Sequence, residues 1–430
     1  MPPFLDAETI SFAPHENFLN VRQSDLQNCS ALSVSSAGIM KILHVCESLV
    51  GGPASYLEEI LPYQMQQFGA NNVMVLAPAS QRTSIAPSIG CTIETYERTG
   101  RNVRSIMALA LAIRANIKRH RPDIVHLHSS FAGAIGRLII RATRLQTRIV
   151  YCAHCWAFDR PEQTIATRLY AMLERTLSRH ADAIVNISPH EEPLLQRAGI
   201  SLGNTVLVVS GIKDLPSPPD TDAPHRSGPM RLLFVGRFDL QKGVDLLLKE
   251  FALLAPGRAT LNLVGARIVG NNDLTIPPDI NLQDWVPREA LPTMFATFDA
   301  VVMPSRWEGM PLLAVEVLRS GRPLICSDHG AFPYFVKSGV NGVLMDISAP
   351  GFLDRALTIL ENADRSAMNA AARATFVAMF RRERMNRDLV ELYDSLVEKA
   401  RKPRTVPAIL LDHKKLEQIA GGGAVEKAIQ

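Results

Sequence analysis

An α/β fold, built as two doubly wound parallel-sheet domains facing a cleft, follows from three features of this sequence. At 430 residues the chain exceeds the ~250 to 300 residues at which a single core stops growing, so two domains are expected. Short apolar runs of strand length alternate with helical stretches, as they do where parallel strands are joined by crossover helices. A proline-rich stretch from Asp214 to Pro224, with Ser227-Gly228-Pro229 after it, splits that alternation and reads as a linker.

The expected bounds follow. Residues 1–38 are polar and proline-punctuated, lack a secretory pattern, and are expected to be disordered or to precede the true start, with Met40 as a candidate initiator. Residues 39–213 form the first domain, 214–229 the linker and 230–385 the second domain. Residues 386–401 form a last helix, and 402–430 a tail with no readable function.

In the first domain, Ile39 to Val45 is the opening buried strand, followed by Gly51-Gly52 and a helical pattern through Phe68. Paired glycines between a strand and a helix let backbone approach a ligand and aim amides at it. Their spacing is not G-x-G-x-x-G, which argues against a dinucleotide-binding dehydrogenase. Further strands are expected at 72–77, 123–128, 148–153, 183–188 and 205–210. Ligands of such sheets bind at the carboxyl ends of the strands, so His126, His128 and His154 are expected on the cleft side. His126 and His128 make His-x-His without a further ligand in sequence, and Cys152 and Cys155 are a lone C-x-x-C; neither supports a metal site.

Composition bounds the class. With 47% hydrophobic and 20% charged residues the chain reads as an ordinary globular protein. No run of ~18 apolar residues marks a membrane span. The six cysteines are scattered without a framework, which points to reduced thiols and a cytoplasmic setting. Between Arg101 and Arg148 stand ten lysines and arginines against one carboxylate, Asp123, although the whole chain carries only +4. Arg137, Arg141 and Arg144 alternate with apolar residues at helical spacing, so an anionic membrane surface is a candidate partner, with peripheral attachment on the inner face of the cell membrane. No nucleic-acid motif accompanies these charges.

The second domain carries the chemistry. A strand from Arg231 to Val235 leads into Arg237 and Lys242, then a helix from Val244, which brings two cations and a helix N-terminus to one point, as diphosphate binding needs. Further on, Ala300 to Pro304 reads as a buried strand, Ser305 to Met310 as a loop, and Pro311 as the first residue of a helix ended by Gly321. Glu308 then lies in the loop and Glu316 in the second turn, with free helix amides between them. That is a site for an anion flanked by hydroxyls.

The stretch PSRWEGMPLLAVEVLRSGRPLICSD, with Glu308 and Glu316 in it, resembles the acidic motif of retaining family 4 glycosyltransferases, also called glycosyl transferases group 1, of the GT-B fold. The resemblance covers residues 40–400, and Arg237 and Lys242 match the family's phosphate pair. It implies two Rossmann-like domains, the first on the acceptor side and the second binding a nucleotide sugar, with the last helix crossing back. It further implies catalytic roles for Arg237, Lys242, Glu308 and His154, the last matching a histidine that faces the transferred sugar and donates to it. Gly51, Gly52, Gly309, Met310, Pro311, Leu312 and Glu316 are implied in substrate binding, Glu316 on the ribose and Glu308 on the sugar. No metal and no cofactor are expected, the nucleotide diphosphate sugar being substrate.

Asp220-Thr221-Asp222 mimics the metal-binding motif of the other large glycosyltransferase fold, but its proline-rich setting argues for coincidence. Where the family often has glycine, this chain has Ala266-Arg267 and Asp284-Trp285-Val286, which leaves the base undefined. The expected activity is sugar transfer with retention from a nucleotide diphosphate donor to a glycan or polyprenyl-linked acceptor, in polysaccharide biosynthesis. A nucleotide-sugar epimerase and a non-catalytic sugar-binding protein are the rival readings.

Overall fold

The computed structural model describes residues 40–85, 89–160, 164–215, 228–266 and 274–401, and among these it holds two all-parallel sheets. The first is built from β1 (Ile42–Cys46), α1 (Gly52–Phe68), β2 (Val73–Pro78), β3 (Thr92–Tyr96), α2 (Val103–His120) and β4 (Ile124–His128). It continues through α3 (Ser130–Ala142), β5 (Arg148–Cys152), α4 (Ile165–Ser178), β6 (Ala183–Asn186), α5 (Glu191–Arg197) and β7 (Thr205–Leu207). The second comprises β8 (Met230–Val235), α6 (Val244–Phe251), β9 (Ala259–Val264), β10 (Asn281–Gln283), α7 (Leu291–Ala296), β11 (Ala300–Met303), α8 (Leu312–Arg319), β12 (Leu324–Ser327) and β13 (Gly342–Met345). Helices α9 (Phe352–Asn362), α10 (Arg365–Met379) and α11 (Arg382–Arg401) follow.

Strand order is β3-β2-β1-β4-β5-β6-β7 in one sheet and β10-β9-β8-β11-β12-β13 in the other. Each order reverses once, between β1 and β4 and between β8 and β11, and the crevice beyond the carboxyl ends at such a reversal is where doubly wound sheets bind ligands. Strands β1, β2, β4, β11 and β12 are buried along their whole length and read as largely apolar runs, broken by His44 in β1, by His126 and His128 in β4 and by Ser327 in β12. The strands missed from sequence, β3, β10 and β13, sit at sheet edges, and the polar Thr92-Ile93-Glu94-Thr95-Tyr96 and Asn281-Leu282-Gln283 of the first two carry no such run. Local signals close the helices: the Asn102 side chain accepts from the Ser105 amide at 2.9 Å to cap α2, and Arg121, at φ 49°, ends it.

One apolar cluster continues from β1 and α1 through Val208, Ile212 and Phe380 to α8 and β12. Helix α11 lies against the first sheet's layer. Its Asn386 donates to the Glu59 carbonyl of α1 at 3.1 Å, its Arg384 to the Val209 carbonyl at 2.6 Å, and its Tyr393 pairs with His126 at 2.6 Å.

Three expectations are corrected here. Pro311 is the residue before α8, at ψ 100°, and not its first helical residue. His126 and His128 do not face the cleft; both are fully buried on the face of the sheet that α1 and α11 cover. The basic face of α3 is only partly a free surface, with Arg141 and Arg144 exposed and Arg137 not. Arg137 is fully buried, hydrogen-bonded to Glu174 at 2.6 Å and stacked 4.0 Å from the Tyr151 ring centre, while Arg141 and Arg148 both pair with Asp182. A helix seen only as a sequence does not reveal that a carboxylate two elements away will neutralise its arginine. Most of the expected linker, Pro216 to Ser227, lies outside the described residues, as do residues 1–39 and 402–430.

Candidate active site

The loops after β8 and β11, neighbouring strands at the reversal of the second sheet, bring the predicted cations and carboxylate together. Lys242 donates to Glu308 at 2.5 Å, and Arg237 reaches Gln241 at 2.9 Å and Asp239 at 3.2 Å. The two loops are laced to each other: the Arg306 amide donates to the Gln241 carbonyl at 2.8 Å, Gln241 donates to the Trp307 carbonyl at 3.2 Å, and Arg306 pairs with Asp245 at 2.8 Å. Gly243 sits between them at φ 69°, where a Cβ would stand 2.0 Å from the Pro304 carbonyl oxygen. Only glycine allows that approach. Glu308 is itself backed by Gly330, whose Cβ would come within 2.3 Å of the Glu308 carbonyl oxygen.

Gly309, Met310 and Pro311 are buried and lead into α8, with Leu312 half-buried at its first turn. Glu316, buried on α8, is held by Arg288, which also lies 3.6 Å from Glu58 and 3.4 Å from Glu59 on α1. Arg288 therefore links α8 beside the second sheet to the first sheet's first helix, a role its sequence setting gave no sign of. Glu316 stands apart from the Lys242–Glu308 pair, each carboxylate carrying its own cation.

From the first sheet, Gly51 precedes α1 at φ 69° and Gly52 opens it; both are exposed, and a Cβ at either would meet nothing within 4 Å. His154 follows β5 in the left-handed region, at φ 61°, a costly conformation for a residue with a Cβ. The loop it belongs to touches the loop of Glu308: a Cβ on Gly309 would lie 2.8 Å from the His154 carbonyl oxygen. The two walls meet at Gly309.

Behind His154 runs a chain of imidazoles. His154 Nε2 meets His128 Nδ1 at 2.8 Å, His128 Nε2 meets His44 Nδ1 at 3.0 Å, and His44 Nε2 meets Gln64 Oε1 at 2.7 Å. Because the Gln64 oxygen only accepts, each ring carries its proton on Nε2, and the His154 Nδ1 accepts from the Cys152 thiol at 3.6 Å. Burial lowers the pKa of His44 and of His154 to about 4, so the chain is neutral at ordinary pH.

His44, His126 and His128 also bring ligand atoms within 4.8 Å of one another. Five of their six ring nitrogens are already hydrogen-bonded, to uncharged partners. The sequence hid His44 because its pairing opposite His126 depends on strand register. Another residue missed is Glu191, opening α5: burial pushes its carboxyl up to about 8 although it accepts from the Ile187 amide at 2.7 Å. The five described cysteines are free thiols.

Two family models match. Glycosyltransferase Family 4 covers residues 50–214, and Glycosyl transferases group 1 covers residues 229–362. An uncharacterised 41.2 kDa protein in the cps region of Klebsiella pneumoniae is 30% identical over 321 residues, 71% of this chain and 86% of that one. The Escherichia coli UDP-Gal:alpha-D-GlcNAc-diphosphoundecaprenol alpha-1,3-galactosyltransferase is 24% identical over 253 residues, 54% of this chain and 64% of that protein. Among solved structures, Anabaena HepE in complex with UDP-glucose superposes with a TM-score of 0.69 at 19% identity, covering 83% of this chain and all of the other, a likeness of fold.

Proposed function

This chain belongs to the family 4 glycosyltransferases and has the GT-B fold, and on that premise we propose that it moves a sugar from a nucleotide diphosphate donor to a glycan or polyprenyl-linked acceptor with retention of configuration. The observation that carries the donor half is the meeting of Arg237, Lys242 and Glu308 on two laced loops at the reversal of the second sheet. A diphosphate entering between these loops takes Lys242 from Glu308. The same exchange leaves the Glu308 carboxylate open to sugar hydroxyls. Arg237, Lys242 and the amides of Leu312 and its neighbours stabilise charge on the departing diphosphate, and stabilisation of this kind is commonly the largest catalytic term.

Glu316 takes the ribose hydroxyls, and Gly309, Met310, Pro311 and Leu312 shape the floor beneath the phosphates. Gly51 and Gly52 serve the opposite wall, and His154 faces the transferred sugar from there. No metal and no cofactor take part. The UDP-glucose held by the Anabaena neighbour supports a nucleotide sugar as donor. The diphosphoundecaprenol substrate in the name of the E. coli relative, and the cps region of the Klebsiella one, support a lipid-linked acceptor and polysaccharide biosynthesis.

The test is product analysis. A panel of UDP-, GDP- and ADP-sugars is incubated with glycan and polyprenyl-diphosphate-sugar acceptors, and the anomeric configuration of the product is read by NMR. Retention is expected. An inverted product overturns the mechanism, and isomerisation of a donor supplied alone would make the protein an epimerase.

A further inference from the structure

The face of the first sheet that carries α2, α3 and α4 is unlike the rest of the surface. Ten of the seventeen large apolar side chains exposed among the described residues fall on these three helices, which pack side by side in the order α2, α3, α4. On α2, Val103, Met107 and Leu111 form one stripe at helical spacing, 75%, 54% and 59% exposed, and Arg114 and Lys118 prolong it. On α4, Ile165, Leu169 and Met172 stand out in the same way, with Arg168 and Arg175 beside them. Leu138 of α3 fills the strip between.

Charge selects among the candidates for what covers this face. The only carboxylate on the three helices is Glu174, and it is buried against Arg137. The exposed charges of the three helices are thus all positive, and Arg104, Arg114, Lys118, Arg168 and Arg175 have no ion-pair partner among the described residues. A second copy of the same face would set these cations against one another. A layer that is apolar inside and anionic at its rim satisfies both sets, because apolar side chains enter the acyl boundary while arginine and lysine reach the headgroups.

We propose that the outer face of α2, α3 and α4 docks on an anionic lipid bilayer. The placement fits the chemistry of the site. The apolar residues gather in the half of α2 that leaves the carboxyl edge of the first sheet, and along α4, which leaves that same edge. Contact there sets the bilayer beside the cleft. A hollow lined by Arg98, Arg101, Ile106, Phe131 and Ile135 opens between α2 and α3 at the same edge. No described helix is long and apolar enough to cross a membrane. The inference deepens the lipid-linked acceptor proposed above and rests on it only for its purpose, since binding to lipid needs no substrate.

Co-flotation with vesicles tests it, with no donor or acceptor present. The protein is expected to float with phosphatidylglycerol–phosphatidylcholine vesicles at ~0.1 M salt, to stay behind with pure phosphatidylcholine, and to be released as salt rises. Arg104→Gln with Arg114→Gln and Lys118→Gln should weaken anionic-vesicle binding on the order of a hundredfold. Met107→Asp with Leu111→Asp should weaken it at least tenfold, while Leu253→Asp, an exposed apolar position on the second domain, should leave it unchanged. Equal melting temperatures check that the variants fold. Equal partition onto neutral and anionic vesicles, no binding at all, or binding indifferent to both variant sets overturns the proposal. So does a dimer in sedimentation that Met107→Asp with Leu111→Asp turns into monomer, which would give the face to a second copy. A chain that floats yet transfers no sugar would retire the proposed acceptor and keep the face.

Discussion

Lys242 and Glu308 share a hydrogen bond at 2.5 Å in a half-buried setting, so the charge each offers a substrate is offset by the other. Replacing Glu308 by Gln keeps the shape and removes the competing charge. Nucleoside diphosphate should then bind up to about tenfold more tightly, the worth of a partly exposed ion pair, as read by calorimetry, while turnover falls. Lys242→Ala and Arg237→Ala should act the other way: kcat falls ~10² to 10³ with KM little changed, because charge on the diphosphate grows toward the transition state. Equal kcat in both cation variants would remove the phosphate site. Glu191 makes a separate prediction about stability. Its carboxyl is raised to about 8 in the fold against an ordinary 4.5, so the unfolded chain releases the proton first as pH rises. The stability tied to its neutral form is whole below ~4.5 and is lost progressively toward ~8. Glu191→Gln can still accept from the Ile187 amide and does not titrate, so its stability advantage over the parent should grow across that window and then level. Parallel urea-unfolding curves at pH 5 and pH 8 would refute this.

At the scale of elements, α11 is fastened to β4 by one buried contact, Tyr393 to His126 at 2.6 Å. The other ring nitrogen of His126 has no partner among the described residues, so Tyr393→Phe leaves a buried imidazole with none. That should cost ~1 to 3 kcal/mol, seen as a lower urea midpoint, whereas Tyr170→Phe on the exposed face of α4 should cost little. The same elements show what a sequence can disclose. Strands β1, β4, β8 and β11 were readable because both faces are largely buried and most of their residues are apolar. The Arg237, Lys242 and Glu308 loops were readable because each follows such a strand, and topology alone puts their ends together. Strands β3 and β10 escaped because edges mix polar and apolar residues. His44, Arg288 and the burial of Arg137 escaped for a different reason: each depends on a partner 84, 28 or 37 positions away, fixed by register or by packing and not by any local pattern. Pro311 shows the limit at a boundary, where one ψ of 100° moves the helix start by a residue.

Across the whole molecule the basic stretch from Arg101 to Arg148 dissolves into separate fates. Arg101 joins Arg98 on Glu47, Arg119 pairs with Glu94, Arg137 with Glu174, and Arg141 and Arg148 with Asp182, leaving the cations of the outer face unpaired. At the donor site the same sorting is nearly complete. Arg237, Lys242 and Arg306 face Asp239, Glu308 and Asp245, one carboxylate to each cation, so the side chains of the proposed diphosphate site sum to about zero. Neutralisation must then come from exchange, with phosphate oxygens replacing carboxylates on Arg237 and Lys242, and from the amides ahead of α8, whose partial positive charge no side chain cancels. Both sources belong to the chain itself. In the proposed exchange a divalent ion would compete with Lys242 for the same phosphate oxygens, and the released Glu308 would turn to the sugar. Turnover should therefore persist in excess EDTA at more than about half its value, and Mg²⁺ or Mn²⁺ should not raise it by the ~10²-fold that loss of an essential charge-stabilising group produces. Initial rates of nucleoside diphosphate release with and without chelator decide the matter. Abolition by EDTA with rescue by either ion would mean that the paired carboxylates Asp239 and Glu308 serve a metal, and that the exchange with Lys242 is not how the site meets its substrate.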